Sequence, residues 1–106
     1  RIASAWSEST LMAAEGYYIY TGGVVPPDVT RVRIDESIRV IPARAFEGRP
    51  IIELDCHIGV KKVEEYAFRH CRSLRLAIMP GVEVVEQYAF FDCPALTDVQ
   101  CGKLEI

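Results

Sequence analysis

This 106-residue sequence contains four cysteines, and their thiols are the side chains best suited to covalent chemistry or metal binding. Cys71 and Cys93 close two copies of one motif, Tyr-Ala-Phe followed by two residues and Cys, which recurs after 22 residues. Cys56 and Cys101 stand at another shared position, which sister segments fill with apolar residues. Because free cysteine is among the most buried residue types, we predict that all four are small core thiols.

Two other chemistries compete for these residues. A disulfide could join Cys71 to Cys93, because equivalent residues of stacked strands lie about 4.8 Å apart, although parallel side chains fit its torsion poorly. Zinc is suggested by Cys56-His57 and by His70-Cys71. However, neighbours on a strand point to opposite faces, and the tightly spaced pairs of zinc fingers are absent. We therefore expect no metal and no cofactor.

Carboxylates on one face of stacked strands could act as acid and base on a polysaccharide. Asp55 and Asp98 would have backbones about 9–10 Å apart, near the upper separation of inverting glycosidases. Leu76 and Ile78 stand between them, and no sugar-stacking aromatic residue shares that face. A carbohydrate-active enzyme is thus a minor alternative. The chain also lacks a Gly-rich phosphate loop and a G-x-S-x-G elbow, so we predict that it is not an enzyme.

A repeat of 22 or 23 residues positions all of these side chains, with starts at Val29, Ile51, Leu74 and Leu96. Apolar residues recur three and five positions after each start. A unit of this length cannot bury its own apolar face, so the units must stack. We predict a solenoid of short parallel β-strands, in which each coil also contains a short helical turn that holds an Ala-Phe pair.

The predicted organisation has three parts. Residues 1–14 form a tail or a short helix, residues 15–28 form an N-terminal cap strand and a Pro turn, and residues 29–106 form the repeats. The strand composition of residues 17–20 supports the cap, which would cover the open edge of the first repeat. The repeat bounds are 29–50, 51–73, 74–95 and a partial 96–106.

One repeat shows the consensus most clearly, and its residues in order are Leu74, Ala77, Met79, Pro80, Val82, Val85, Ala89, Phe90 and Cys93. This order resembles the BspA-like class of leucine-rich repeats, with the pattern L-x-x-I-x-L-P, two spaced apolar residues and A-F-x-x-C. Departures are Arg49 in place of Cys, and Asp35 and His57 in place of Pro. The resemblance implies a leucine-rich-repeat solenoid that serves in cell-surface adhesion in microbes or as an intracellular interaction scaffold.

The outward strand positions are the predicted binding surface, because solenoids use their strand face to bind partners. Leu76, Ile78 and Pro80 form an apolar row, which predicts anchors for a protein or peptide partner. The alternatives are that another segment of the full-length protein, or a shifted register in this repeat, covers them. Polar candidates around this row are Asp55, Asp98, Gln100, Arg31, Arg33 and Glu53. In a parallel stack Arg31 faces Glu53 and Arg33 faces Asp55, and such ion pairs chiefly set the register.

We predict a non-catalytic protein–protein interaction scaffold, with a cell-surface adhesion module as the alternative and a structural spacer as a weaker one. A net charge of −3 argues against nucleic acid, and the apolar runs are too short for membrane insertion. We interpret the sequence as an excerpt of a longer chain. Its unpaired core-type cysteines favour an intracellular location, whereas the resemblance also allows the cell surface. An open C-terminal edge predicts possible self-association.

Overall fold

A computed structural model describes residues 16–102 as stacked coils built from eight short strands. In chain order the strands are β1 (Tyr18–Tyr20), β2 (Arg31–Ile34), β3 (Val40–Ile41), β4 (Glu53–Asp55), β5 (Lys62–Val63), β6 (Leu76–Ile78), β7 (Val84–Val85) and β8 (Asp98–Gln100). One sheet has the order β1-β2-β4-β6-β8 and the other has the order β3-β5-β7. The tail or helix predicted for residues 1–14 lies outside the described residues.

All strand pairs are parallel, and their register follows the repeat. Val32 lies beside Leu54, Leu54 beside Ala77, and Ala77 beside Val99. These are the apolar residues three positions after each repeat start, and the first three are fully buried. Since side chains alternate along a strand, burying this column turns its neighbours to the outer face. The predicted leucine-rich-repeat solenoid is confirmed.

The N-terminal cap strand is also confirmed. β1 extends the five-stranded sheet, with Tyr18 beside Val32 and Tyr20 beside Ile34. Tyr20 is 2% exposed, and its ring centroid lies 4.9 Å from that of Phe46. The cap therefore covers the apolar end of the first coil, which would otherwise face water.

Stacked phenylalanines fill the core between the sheets and the turns. The ring centroids of Phe46 and Phe68 lie 5.1 Å apart, and those of Phe68 and Phe90 lie 5.0 Å apart. This spacing matches the distance of about 4.8 Å between adjacent strands, so each coil contributes one ring. Ala67 and Ala89 are buried beside these rings, where their small side chains let the turns approach the core.

The Ala-Phe segments differ from prediction in one detail, because they are hydrogen-bonded turns rather than helical turns. Arg44, Tyr66 and Tyr88 have φ angles of 62°, 63° and 64°, in the left-handed region that interrupts a right-handed helix. Alternate amide groups of these turns bond across coils, as Phe46 N does to Ala67 O at 2.8 Å, while those between them bond to the carbonyl three residues earlier. These bonds form a third ladder along the stack. In residues 16–102 no helix is long and apolar enough to cross a bilayer.

Candidate partner-binding face

The outer side of the five-stranded sheet carries two rows of side chains, which we call the strand face. The first row is Arg31, Glu53, Leu76 and Asp98, and the second row is Arg33, Asp55, Ile78 and Gln100. Pro80 follows two residues after β6. The fold thus brings eight of the nine residues predicted for this surface, all but Pro80, into the same two rows, because each coil adds its outward positions to them.

The N-terminal half of the strand face is charged and internally paired. Arg33 Nε lies 3.1 Å from Asp55 Oδ2, and Arg31 Nε lies 3.6 Å from Glu53 Oε1. These are the two pairings predicted from the repeat. An ion pair that remains in contact with water contributes at most about 1 kcal/mol, so these pairs specify which strands align more than they stabilise the fold.

Tyr17 also belongs to this half, although it was not predicted there. Its hydroxyl donates to Glu53 Oε2 at 2.7 Å and accepts from Arg31 Nη2 at 3.0 Å. The guanidinium carbons of Arg31 and Arg33 lie 4.2 and 4.1 Å from its ring centre. The hydrogen bond to Glu53, together with burial, raises the pKa of the Tyr17 hydroxyl. Strand alternation before the buried Tyr20 would have predicted an outward Tyr17.

The C-terminal half of the strand face is apolar with a polar border. Leu76, Ile78 and Pro80 are half-buried, whereas Asp98 and Gln100 are exposed. Within residues 16–102, Asp98 makes no ion pair. A depression of about 270 Å³ opens at the starts of β4, β6 and β8. Its lining consists of Ile52, Glu53, Arg75, Leu76, Thr97 and Asp98.

The two acids considered for glycoside cleavage do not face each other across the sheet. Asp98 shares its row with Glu53 and Leu76, whereas Asp55 lies in the other row beside Ile78. Asp55 also accepts a hydrogen bond from Arg33 Nε at 3.1 Å. Its carboxylate is therefore engaged by a guanidinium, and the arrangement does not present the open acid–base pair that hydrolysis needs.

The cysteines are part of the core rather than of a reactive site. Cys56, Cys71 and Cys93 are free thiols, and the first two are buried. The Sγ atoms of Cys71 and Cys93 each donate to a backbone oxygen one coil earlier, on Phe46 and Phe68, at 3.0 Å. Burial raises the pKa of Cys71 to about 12 and also raises the pKa of Cys56. Both thiols are therefore protonated, and unreactive, at neutral pH.

Alkylation kinetics should reveal these raised pKa values. At pH 8 the thiolate fraction of Cys71 should be roughly a thousandfold below that of a thiol with the ordinary pKa of 9.0. We expect iodoacetamide to leave Cys56 and Cys71 unmodified in the folded protein, as measured by peptide mass spectrometry. The same protein unfolded in urea is the control, in which both thiols should react. Rapid alkylation of Cys71 in the folded protein would contradict its burial.

Both ring nitrogens of His57 form hydrogen bonds with backbone groups, so neither is available to a metal ion. Its Nδ1 accepts from the Gly59 amide at 3.0 Å, which leaves Nε2 to donate to the carbonyls of Asp35 and Ile38, both at 3.0 Å. Cys56, its neighbour, is buried on the other side of the chain. No group of three or more potential metal ligands comes together in residues 16–102.

The geometry agrees with one comparison against known proteins. The family described as "BspA type Leucine rich repeat region (6 copies)" matches residues 27–105, which are 79 of the 106 residues. The chain belongs to the BspA-type leucine-rich repeats. Leucine-rich-repeat solenoids are typically non-catalytic and typically serve as scaffolds for protein interaction or adhesion. No curated protein and no solved structure matches this leucine-rich-repeat chain.

Proposed function

We propose that this chain is a non-catalytic interaction scaffold that binds a protein or peptide partner through its strand face, with Leu76 and Ile78 as anchors. The observation that carries the proposal is the contrast between the two halves of that face. In one half Arg31, Arg33 and their carboxylate partners neutralise each other. In the other half half-exposed apolar side chains lie beside an acid, Asp98, that has no ion-pair partner in residues 16–102.

Such a surface has the composition of an interface core with a polar border. Apolar anchors supply most of the binding energy in protein complexes, and polar residues around them give orientation and exclude water. Leu76 and Ile78 would supply the anchors, and Asp98 and Gln100 the border. Asp98 favours a partner that carries a basic residue next to its apolar contact residues. The same polar border and paired charges give no concentrated basic surface for nucleic acid.

Adhesion is the second candidate, because BspA-type repeats include adhesion scaffolds and the same face would then contact a surface molecule. A structural spacer would need no contact at Leu76 or Ile78. Self-association of the chain through β8 stays a prediction, and light scattering across a concentration series would detect it. These possibilities differ in which part of the solenoid touches another molecule.

Site-specific photo-crosslinking tests the location directly. Benzoylphenylalanine would replace Ile78 on the strand face or, as a control, the 48%-exposed Val84 on the second sheet. Crosslinking would be carried out in the cells that naturally make the protein, and adducts identified by mass spectrometry. We expect one discrete protein adduct from position 78 and none from position 84. Adducts from position 84 alone, or from neither position, would contradict the proposal and the latter would favour a spacer.

A further inference from the structure

An aromatic cluster lies on the turn side of the coils, away from both sheets, and we call it the turn-side platform. It consists of Tyr66, Tyr88, Phe91 and Arg69. The rings of Tyr66 and Tyr88 stack with centroids 5.6 Å apart and planes 13° from parallel. Phe91 meets Tyr88 edge-on, with centroids 5.7 Å apart and planes at 80°. Tyr88 and Phe91 are 47% and 48% exposed, so the core does not require their rings.

The backbone holds these tyrosines in a conformation that is unfavourable for them. Tyr66 and Tyr88 have φ angles of 63° and 64°, where glycine or asparagine would fit at lower cost. The same angle occurs at Arg44, the equivalent residue of the preceding coil, so it belongs to the repeated turn and sets the direction in which each side chain leaves it. Because Tyr66 and Tyr88 occupy the same position in adjacent coils, their rings stack and form one surface.

The four residues of the turn-side platform line a shallow depression of about 260 Å³. Its polar groups are chiefly donors, namely two phenol hydroxyls and a guanidinium. Arg69 Nη1 donates to Glu47 at 3.0 Å, while its buried Nε has no acceptor within residues 16–102. The Arg69 side chain is 33% exposed, so the outer part of its guanidinium can donate to a carbonyl that enters the depression.

The charged neighbours of the depression exclude a cationic occupant. Arg44 and Arg69 already lie over the Tyr66 ring, with guanidinium carbons 4.5 and 5.2 Å from its centre. Both also engage the carboxylate of Glu47. The second nearby carboxylate, Asp92, is engaged by His70 at 2.7 Å and by an arginine, and the hydrogen bond from His70 lowers its pKa. Neither acid is left to balance a new positive charge.

The depression therefore fits a ligand with an apolar body that offers acceptors and needs none. We propose that the turn-side platform binds a proline-rich peptide segment in the polyproline II conformation. Proline rings pack on aromatic side chains, and the extended backbone presents carbonyl acceptors to Tyr66, Tyr88 and Arg69. Proline has no backbone N–H, so no acceptor is required from the protein. This site is separate from the strand face and does not depend on the function proposed there.

Decaproline is the probe for this site. Titrated into the ¹⁵N-labelled 106-residue protein, it should shift the amide resonances of residues 66–69 and 88–91 and leave those of β4 and β6 unchanged. Phe91→Ala/Tyr88→Ala should weaken binding at least about tenfold, because both ring contacts are lost. Tyr88→Phe keeps the ring and should weaken binding only a few-fold through loss of its hydroxyl. Circular dichroism melting would show that each variant is folded.

Control variants and control ligands distinguish proline-rich binding at this site from binding elsewhere or of another ligand. Leu76→Ser/Ile78→Ser alters the strand face and should leave decaproline binding unchanged, and a Gly-Ser decapeptide should not bind. The proposal is overturned if decaproline causes no shifts at millimolar concentration. It is equally overturned if a cello-oligosaccharide binds the platform and decaproline does not, or if the same resonances shift only with protein concentration, which would mark a contact between two copies.

Discussion

Phe68→Ala should lower the free energy of unfolding by about 3–5 kcal/mol, a large part of the roughly 5–15 kcal/mol that holds a domain together. Phe68 is fully buried, and its ring stacks against Phe46 on one side and Phe90 on the other. Truncation removes the middle ring of the stack and leaves a cavity between two coils, which the rigid strands on either side cannot close. The loss of stability therefore has two parts, the lost burial of the ring and the cavity that it leaves.

Urea denaturation followed by circular dichroism measures this loss. Phe91→Ala is the matched control, because Phe91 is an aromatic residue of the next coil that is 48% exposed and should cost less than about 1 kcal/mol. The melting temperature of Phe68→Ala should fall by at least about 12 °C, given roughly 4–8 °C for each kcal/mol. If the two variants lost similar stability, the assignment of Ala-Phe residues to the core would be wrong.

Gly81→Ala should also destabilise the protein strongly, by about 1–3 kcal/mol or more. A β-carbon at Gly81 would overlap the backbone carbonyl of Ile58 in the preceding coil. That overlap cannot be relieved by rotating a side chain, because the obstacle is backbone. Either the two coils separate at this corner or their hydrogen bonds distort. Differential scanning calorimetry should show a melting temperature lower by roughly 5–20 °C.

Gly23→Ala is the control for this substitution. An added β-carbon there meets no atom within 4 Å, and the backbone is outside the left-handed region. We expect it to be neutral or to stabilise by about 0.4–1 kcal/mol through a less flexible unfolded chain. Equal melting temperatures for Gly81→Ala and the unmodified protein would mean that the coils do not approach as closely as the structure has them.

The repeat period was sufficient to predict the core. Val32, Leu54 and Ala77 recur at the repeat spacing, and parallel stacking at that spacing is the arrangement that buries all of them. The ion pairs followed from the same register, since Arg31 and Glu53 are separated by one repeat. Pairing between residues far apart in sequence could be inferred here because every coil places its strand at the same repeat position.

The turns could not be predicted in the same way. Positive φ angles are usually signalled by glycine or asparagine, but in these turns they occur at Arg44, Tyr66 and Tyr88. The backbone bonds between coils compensate for that conformation, and such bonds are a property of the assembled stack rather than of local sequence. The turn-side platform depends on these angles, so its geometry could not be predicted from the sequence either.

The strand-face residues, with their apolar row and their charge pairs, were predicted from alternation and register, yet the contacts of Tyr17 were not. The sequence placed Leu76 and Ile78 outward in the third repeat, where other repeats have polar residues. What it did not indicate is that the Tyr17 hydroxyl would hydrogen-bond both Arg31 and Glu53. That contact depends on where the cap strand docks, which the repeat pattern does not specify.

The affinity of the crosslinked partner for two matched variants tests the central claim most directly. Leu76→Ser/Ile78→Ser removes the apolar anchors without placing a charge beside Glu53 and Asp98. Val40→Ser/Val84→Ser makes the same change at two exposed valines of the second sheet, which are 38% and 48% exposed. By calorimetry, the strand-face variant should raise Kd at least about tenfold and the second-sheet variant less than about threefold. An unchanged Kd for the strand-face variant would contradict binding through that face.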